Sequence, residues 1–194
     1  PAAPEVLSRS DALPRTHSHK ARACGNNLII NYEQYSGSVA GYVFDTLFRK
    51  PEKLGLGVFD VSDPASPREL AFFEVDGVNL QNAPAGVHRF EFDCERRLAY
   101  ISATDEGFRG NIVLIIDLSD PAQPVEVGRW WLEGQKTAAG EKPIWSRNDY
   151  HVHHPNRLGE RLYVPLWFGG FAIVDISDIG NPKTVSYLNP GHTS

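Results

Sequence analysis

One octapeptide, written three times, limits what this chain can become. Asp60-Val61-Ser62-Asp63-Pro64-Ala65-Ser66-Pro67 recurs as Asp117-Leu118-Ser119-Asp120-Pro121-Ala122-Gln123-Pro124, and again as Asp175-Ile176-Ser177-Asp178-Ile179-Gly180-Asn181-Pro182. The copies start 57 and 58 residues apart, and a near-constant period of this size signals a repeat architecture. Each copy follows a β-branched or aromatic run (Gly57 to Phe59, Ile112 to Ile116, Phe171 to Val174) and precedes a second strand-like run (Arg68 to Val75, Val125 to Trp131, Lys183 to Leu188). Two strands joined by such a segment read as a hairpin. Asp and Ser side chains cap backbone groups at the bend, and the prolines fix φ and stop the ladder from continuing in register. Loss of Asp60, Asp117 or Asp175 is therefore expected to cost stability rather than function.

A looser element precedes each copy. Leu28 to Glu33, Leu98 to Ala103 and Leu162 to Trp167 read as strands, each entered through a turn (Gly25 to Asn27, Glu95 to Arg97, Gly159 to Arg161) with a further short strand before it. Each unit thus holds four short antiparallel strands, A to D, which is a propeller blade by count and period. The expected fold is all-β: three four-stranded antiparallel blades plus the start of a fourth, as an incomplete β-propeller ring. The divisions fall at residues 1–15 (linker), 16–80 (blade one, with a long B–C insertion), 81–142 (blade two), 143–190 (blade three) and 191–194 (start of a further blade). The strings Ile112 to Pro124 and Phe171 to Asp178 resemble the LVIVD repeats. That resemblance implies a seven- or eight-bladed β-propeller, often exported, in a family whose activities are mostly unknown. It implies fold more than function, because propellers host unrelated chemistries. Three blades leave two raw sheet edges, so a second chain or a C-terminal half is expected to complete the ring.

Composition narrows the function classes. With 19 Lys and Arg against 24 Asp and Glu the formal charge is −5, which argues against nucleic acid as a partner. No apolar run reaches the length of about 18 residues that a membrane span needs. Phosphate-loop, serine-hydrolase, zincin and dinucleotide-fold signatures are absent from the sequence. The chain does not begin with Met, and Pro1 to Lys20 is polar and Pro-rich, as a linker left by a cleaved leader would be. The lean is towards an extracellular or periplasmic protein. Cys24 and Cys94 lack C-x-x-C spacing, so they form no cysteine zinc site, and two buried free thiols are expected.

Chemistry concentrates in the histidines: His17, His19, His88, His151, His153, His154 and His192. All fall at or just before a strand A. Counted back from the first Leu of strand B, His17 and His19 stand at −11 and −9, His151 and His153 at −11 and −9, and His88 at −10. Strand A lines a propeller's channel, and residues two apart on a strand share a face, so imidazoles from several blades are expected to converge at one rim. Neutral imidazole is the commonest ligand for zinc, copper and iron. His19, His88, His151, His153, His154 and His192 are the metal-ligand candidates, for a divalent transition metal (Zn, Cu or Fe), with Tyr150 to Pro155 the densest point. Glu33, at the end of a strand B, is the candidate general base or carboxylate partner of a ligand His; Asp149 reads as a turn cap. The expected ligand is a small-molecule substrate. The alternative is a non-catalytic exported scaffold that binds protein or carbohydrate partners through its rim loops. The B–C insertion of blade one, Gln34 to Leu54, with Tyr35, Tyr42, Phe44 and Phe48, overhangs the same rim as an aromatic lid or, in preference, a packing arm. Trp130, Trp131 and Trp145 are expected to pack between blades.

Overall fold

A computed structural model describes residues 3–11, 13–35, 39–49, 51–76, 85–144 and 151–189. The octapeptide hairpins form as their chemistry requires. Asp60, Asp117 and Asp175 each accept a hydrogen bond at Oδ1 from the backbone N–H two residues on, in Ser62, Ser119 and Ser177, at 2.9, 2.7 and 2.8 Å. Each hairpin joins strands C and D of one sheet. Blade one holds β1 (Thr16–His17), β2 (Ala21–Cys24), β3 (Asn27–Gln34), β4 (Gly55–Asp60) and β5 (Arg68–Glu74). Blade two holds β6 (Val87–Asp93), β7 (Leu98–Ala103), β8 (Ile112–Asp117) and β9 (Val125–Trp130). Blade three holds β10 (Asn156–Leu158), β11 (Arg161–Leu166), β12 (Gly170–Asp175) and β13 (Lys183–Leu188).

All pairings within these sheets are antiparallel and follow chain order, with β1 and β2 both lying along β3 as two pieces of one strand A. The three sheets stand side by side as propeller blades in an arc. Two apolar layers separate them. Ile29, Leu56 and Val58 of blade one pack on Ala99, Ile101, Leu114 and Ile116 of blade two. Tyr100, Val113 and Ile115 from the other face of blade two pack on Leu162, Val164, Ala172 and Val174. Blade two is therefore covered on both faces, which is why β8 reads as the unbroken run Ile-Val-Leu-Ile-Ile while β11 alternates buried and exposed. Trp130 packs in the second layer, and its indole N–H donates to Thr184 Oγ1 of blade three at 3.0 Å, as expected of a residue between blades. Strand A is innermost, and β6 touches both β3 and β10.

The pairing corrects the alignment of blade two. Leu28 pairs with Phe59, Ala99 with Ile116 and Leu162 with Val174, each partner being the residue before the repeat Asp. Ala99, not Leu98, is thus the counterpart of Leu28 and Leu162. The A–B turn of blade two also spans four residues, between Asp93 and Leu98, where the other two blades use two. Counting back from an apolar anchor hides both shifts.

One further expectation is revised. Cys24 and Cys94 are not free thiols: they form a disulfide between blades one and two, with Cα atoms 5.7 Å apart. Cys24 ends β2 and Cys94 follows β6, so strands of adjoining blades bring them together, a closeness that their separation of 70 residues conceals. The blade-one insertion holds α1 (Val39–Phe48). Phe44 and Phe48 lie exposed on it with ring centroids 5.0 Å apart. Among the described residues no helix is long and apolar enough to cross a membrane.

Candidate metal centre

The site begins with one irregularity made three times. In blade one His17 pairs with Glu33 and Ala21 with Ile30, so three residues of strand A oppose two of strand B. In blade two Val87 pairs with Ala103 and Arg89 with Ser102, which leaves His88 as the extra residue. In blade three Val152 bridges Leu166 and Asn156 pairs with Tyr163, again three against two. Each strand A carries a one-residue bulge, a device that re-aims side chains and is common beside active sites. Each bulge holds a histidine: His19, His88 and His153. The longer A–B turn of blade two accounts for the different count, so these three are structural equivalents.

They form a row across the blades. The centroids of His19 and His88 are 5.3 Å apart, and those of His88 and His153 are 5.2 Å apart. His17 stacks on His19 at 4.9 Å. Trp167 closes the blade-three end, 4.9 Å from His153 and 5.5 Å from His151, and Tyr35 stands edge-on to His17 at the other end, at 5.4 Å. Hydrogen bonds from strand B hold the bulges in place. Asn31, fully buried, accepts from the backbone N–H of His19 and Lys20 at 3.1 and 2.8 Å. It donates to the carbonyls of Val87 and His88 at 2.8 and 3.2 Å, which ties blade one to the bulge of blade two. Ser102, its counterpart in blade two, donates to the Val152 carbonyl at 2.6 Å.

Glu33 is the centre of charge. It is 1% exposed, and among the described residues its carboxylate is met by histidines. His88 Nδ1 lies 2.7 Å from Oε1, and His17 Nε2 and His19 Nδ1 lie 3.1 and 3.8 Å from Oε2. Burial works against ionisation of Glu33, but the hydrogen bonds from His17 and His88 outweigh it and hold its pKa below the ordinary value. Gly86 makes the approach of the two blades possible. Its φ is +106°, and a Cβ there would stand 2.6 Å from the Tyr32 carbonyl oxygen and 3.1 Å from Glu33 Cα. Gly86 fills the place in blade two that His17 and His151 hold in their own blades. Desolvation, then the charges of neighbouring groups, brings both His151 and His153 to a pKa of about 4. His19 is lowered as well, by burial first.

His17, His19 and Glu33 form a group that could hold a metal ion, their ligand atoms all lying within 4.8 Å of one another. Ligand atoms around a tetrahedral ion at about 2.1 Å stand about 3.4 Å apart, and the 3.1 and 3.8 Å separations at Glu33 Oε2 bracket that value. His17 was not among the sequence candidates. The signal for it was present, since it matches His151 in register. Of the candidates, the structure gathers Glu33, His19, His88, His151 and His153. His154 lies half-buried with Nε2 3.3 Å from the Phe90 carbonyl oxygen, and burial lowers its pKa. His192, Trp145, Asp149 and Tyr150 lie outside the described residues. Trp131 donates to Glu141 at 3.2 Å and packs against Phe108, away from the histidine row. A cavity of about 250 Å³ lies elsewhere, between Ser8 to Ser10 and the outer face of blade one at Leu28, Ile30 and Phe59; it holds none of these groups.

No curated protein matches the chain. The LVIVD repeat family matches it at residues 52–74, 99–131 and 158–189. Each matched segment contains the octapeptide hairpin of one blade, so the chain carries three LVIVD repeats, a propeller-type repeat.

Proposed function

We propose that this propeller carries a small-molecule site on its channel rim, built on histidines of three blades and holding a divalent transition metal (Zn, Cu or Fe). The observation that carries the reading is the buried Glu33 carboxylate, enclosed by His17, His19 and His88. The donor set fits such an ion. Three imidazoles, of His17, His19 and His88, face one buried carboxylate, and imidazole nitrogen with carboxylate oxygen is a donor set that such ions take. His17, His19 and Glu33 would hold the ion, with His88 and His153 on its open side. A metal bound there supplies Lewis-acid or redox chemistry to a small substrate. Glu33 fixes the ring orientation of His17 and His88. The depressed pKa values of His151 and His153 keep both rings neutral, as ligands or proton acceptors, well below pH 7. The Cys24–Cys94 bridge fits an oxidising compartment, extracellular or periplasmic.

Metal analysis of the purified chain tests this. Near-stoichiometric zinc, copper or iron is expected, lost in the doubly substituted His17→Ala, His19→Ala protein while the far-UV spectrum is kept. Metal-free wild type that takes up none of the three metals would overturn it. One observation favours a second reading: His17 and His88 between them engage both Glu33 oxygens with no ion. On that reading Glu33 is a clamp between blades one and two in a non-catalytic exported scaffold, and its partners, protein or carbohydrate, bind the rim loops. Glu33→Gln would then lower stability equally with and without added metal.

A further inference from the structure

The bulges that aim the histidines also set a second level of side chains. Beyond the extra residue the ladder resumes: Lys20 accepts at its carbonyl from the Asn31 N–H at 3.2 Å, and Arg89 pairs with Ser102. By the same count His154 takes this place in blade three. One basic residue per blade, Lys20, Arg89 and His154, therefore stands just past the histidine row on the inner strands. Their backbones adjoin: Asn31 bonds both the Lys20 N–H and the His88 carbonyl, at 2.8 and 3.2 Å, and His154 Nε2 lies 3.3 Å from the carbonyl oxygen of Phe90, next to Arg89.

In a chain of net charge −5, cations ordinarily find carboxylates. Arg129, Arg157 and Arg161 do so at 2.6, 2.8 and 2.7 Å. Among the described residues Lys20 and Arg89 have no carboxylate within 4.0 Å, and Arg89 Nε is buried with no hydrogen-bond partner. A guanidinium N–H taken out of water and left unpaired is costly. An oxyanion that presents two adjacent oxygens, a carboxylate or a phosphate, is the group whose geometry matches that fork.

We propose that Lys20 and Arg89 form an oxyanion subsite beside the histidine cluster, so that the small molecule taken by the rim carries a carboxylate or phosphate group. This rests on the rim being a small-molecule site, not on the metal. The test is calorimetric titration of the metal-free full chain with inorganic phosphate and, separately, with succinate. Binding of at least one is expected, weakened tenfold or more by Arg89→Gln and by Lys20→Gln, and only partly restored by Arg89→Lys, which keeps the charge but not the fork. The preferred probe identifies the head group. Thermal melting of each variant checks that the fold is intact. No binding of either probe, or equal binding by wild type and a folded Arg89→Gln protein, would overturn the subsite. The two readings fail separately. A chain that binds metal but shows no effect of Arg89 loses only the oxyanion subsite, whereas one that binds the oxyanion yet takes up no metal loses only the metal centre.

Discussion

The two rims of this arc are built from the same strands and do opposite things. On the rim of the A–B and C–D turns, charges and cysteines are paired off. Cys24 bridges Cys94, Arg96 pairs with Glu160 across blades two and three, and Arg157 pairs with Asp93. Each repeat Asp is spent on its own turn. On the opposite rim, among the described residues, a buried carboxylate is met by histidines, two imidazole nitrogens have no partner, and Trp167 and Tyr35 are 40% and 54% exposed. The first rim holds the blades together. The second leaves polar and aromatic groups unused by the fold, which is where ligand chemistry has room to act.

Experiments that separate the rims sharpen this contrast. The largest effect belongs to the first. Replacing both Cys24 and Cys94 by Ser is expected to lower unfolding stability by about 4 kcal/mol, the chain-entropy value for a loop of this length, with metal uptake unchanged. Urea denaturation and metal titration on the same protein check both halves. A concurrent loss of metal would show that the rims are coupled. Next comes Glu33→Gln, expected to weaken metal affinity by about 10- to 100-fold, or about 1.4 to 2.7 kcal/mol, by competition with a chelating dye.

The third break is acidification. His151 and His153 have folded-state pKa values of about 4 against 6.5 as the ordinary value. Between those limits the unfolded chain binds more protons, so stability is fully present above about pH 6.5 and falls as pH drops towards about 4. Substituting His151 by Phe should flatten that slope in denaturation curves of the metal-free protein, whereas no change of slope would show that His151 does not contribute to it. The smallest effect is Asp117→Ala, expected to cost about 1 kcal/mol through the lost turn cap with no change in metal binding.

Much of the architecture was legible because its signals are local. A turn capped by Asp and Ser two residues apart writes itself into the sequence at each copy, and an apolar run flanked by such turns can only be a strand. The convergence of Glu33 with His19, His88, His151 and His153 followed from placing those residues at strand A starts and a strand B end. What the sequence obscured depends on pairing. The bulge at His88 shows only when Val87 and Arg89 are seen opposite Ala103 and Ser102. His17 was passed over because the distance from its ring to Glu33 is set by that pairing. The disulfide was misread for the same reason: two cysteines far apart in the chain meet only because blades one and two adjoin.

The sequence by itself determined the module, its strand order and the rim at which imidazoles gather, since hydrophobic period and turn chemistry act over a few residues. Only the tertiary structure decided which imidazoles touch, which one carboxylate they share and which cations go unpaired. Those outcomes depend on one-residue offsets between strands and on the packing of blade against blade, and a shift of one residue moves a side chain to the other face of its sheet.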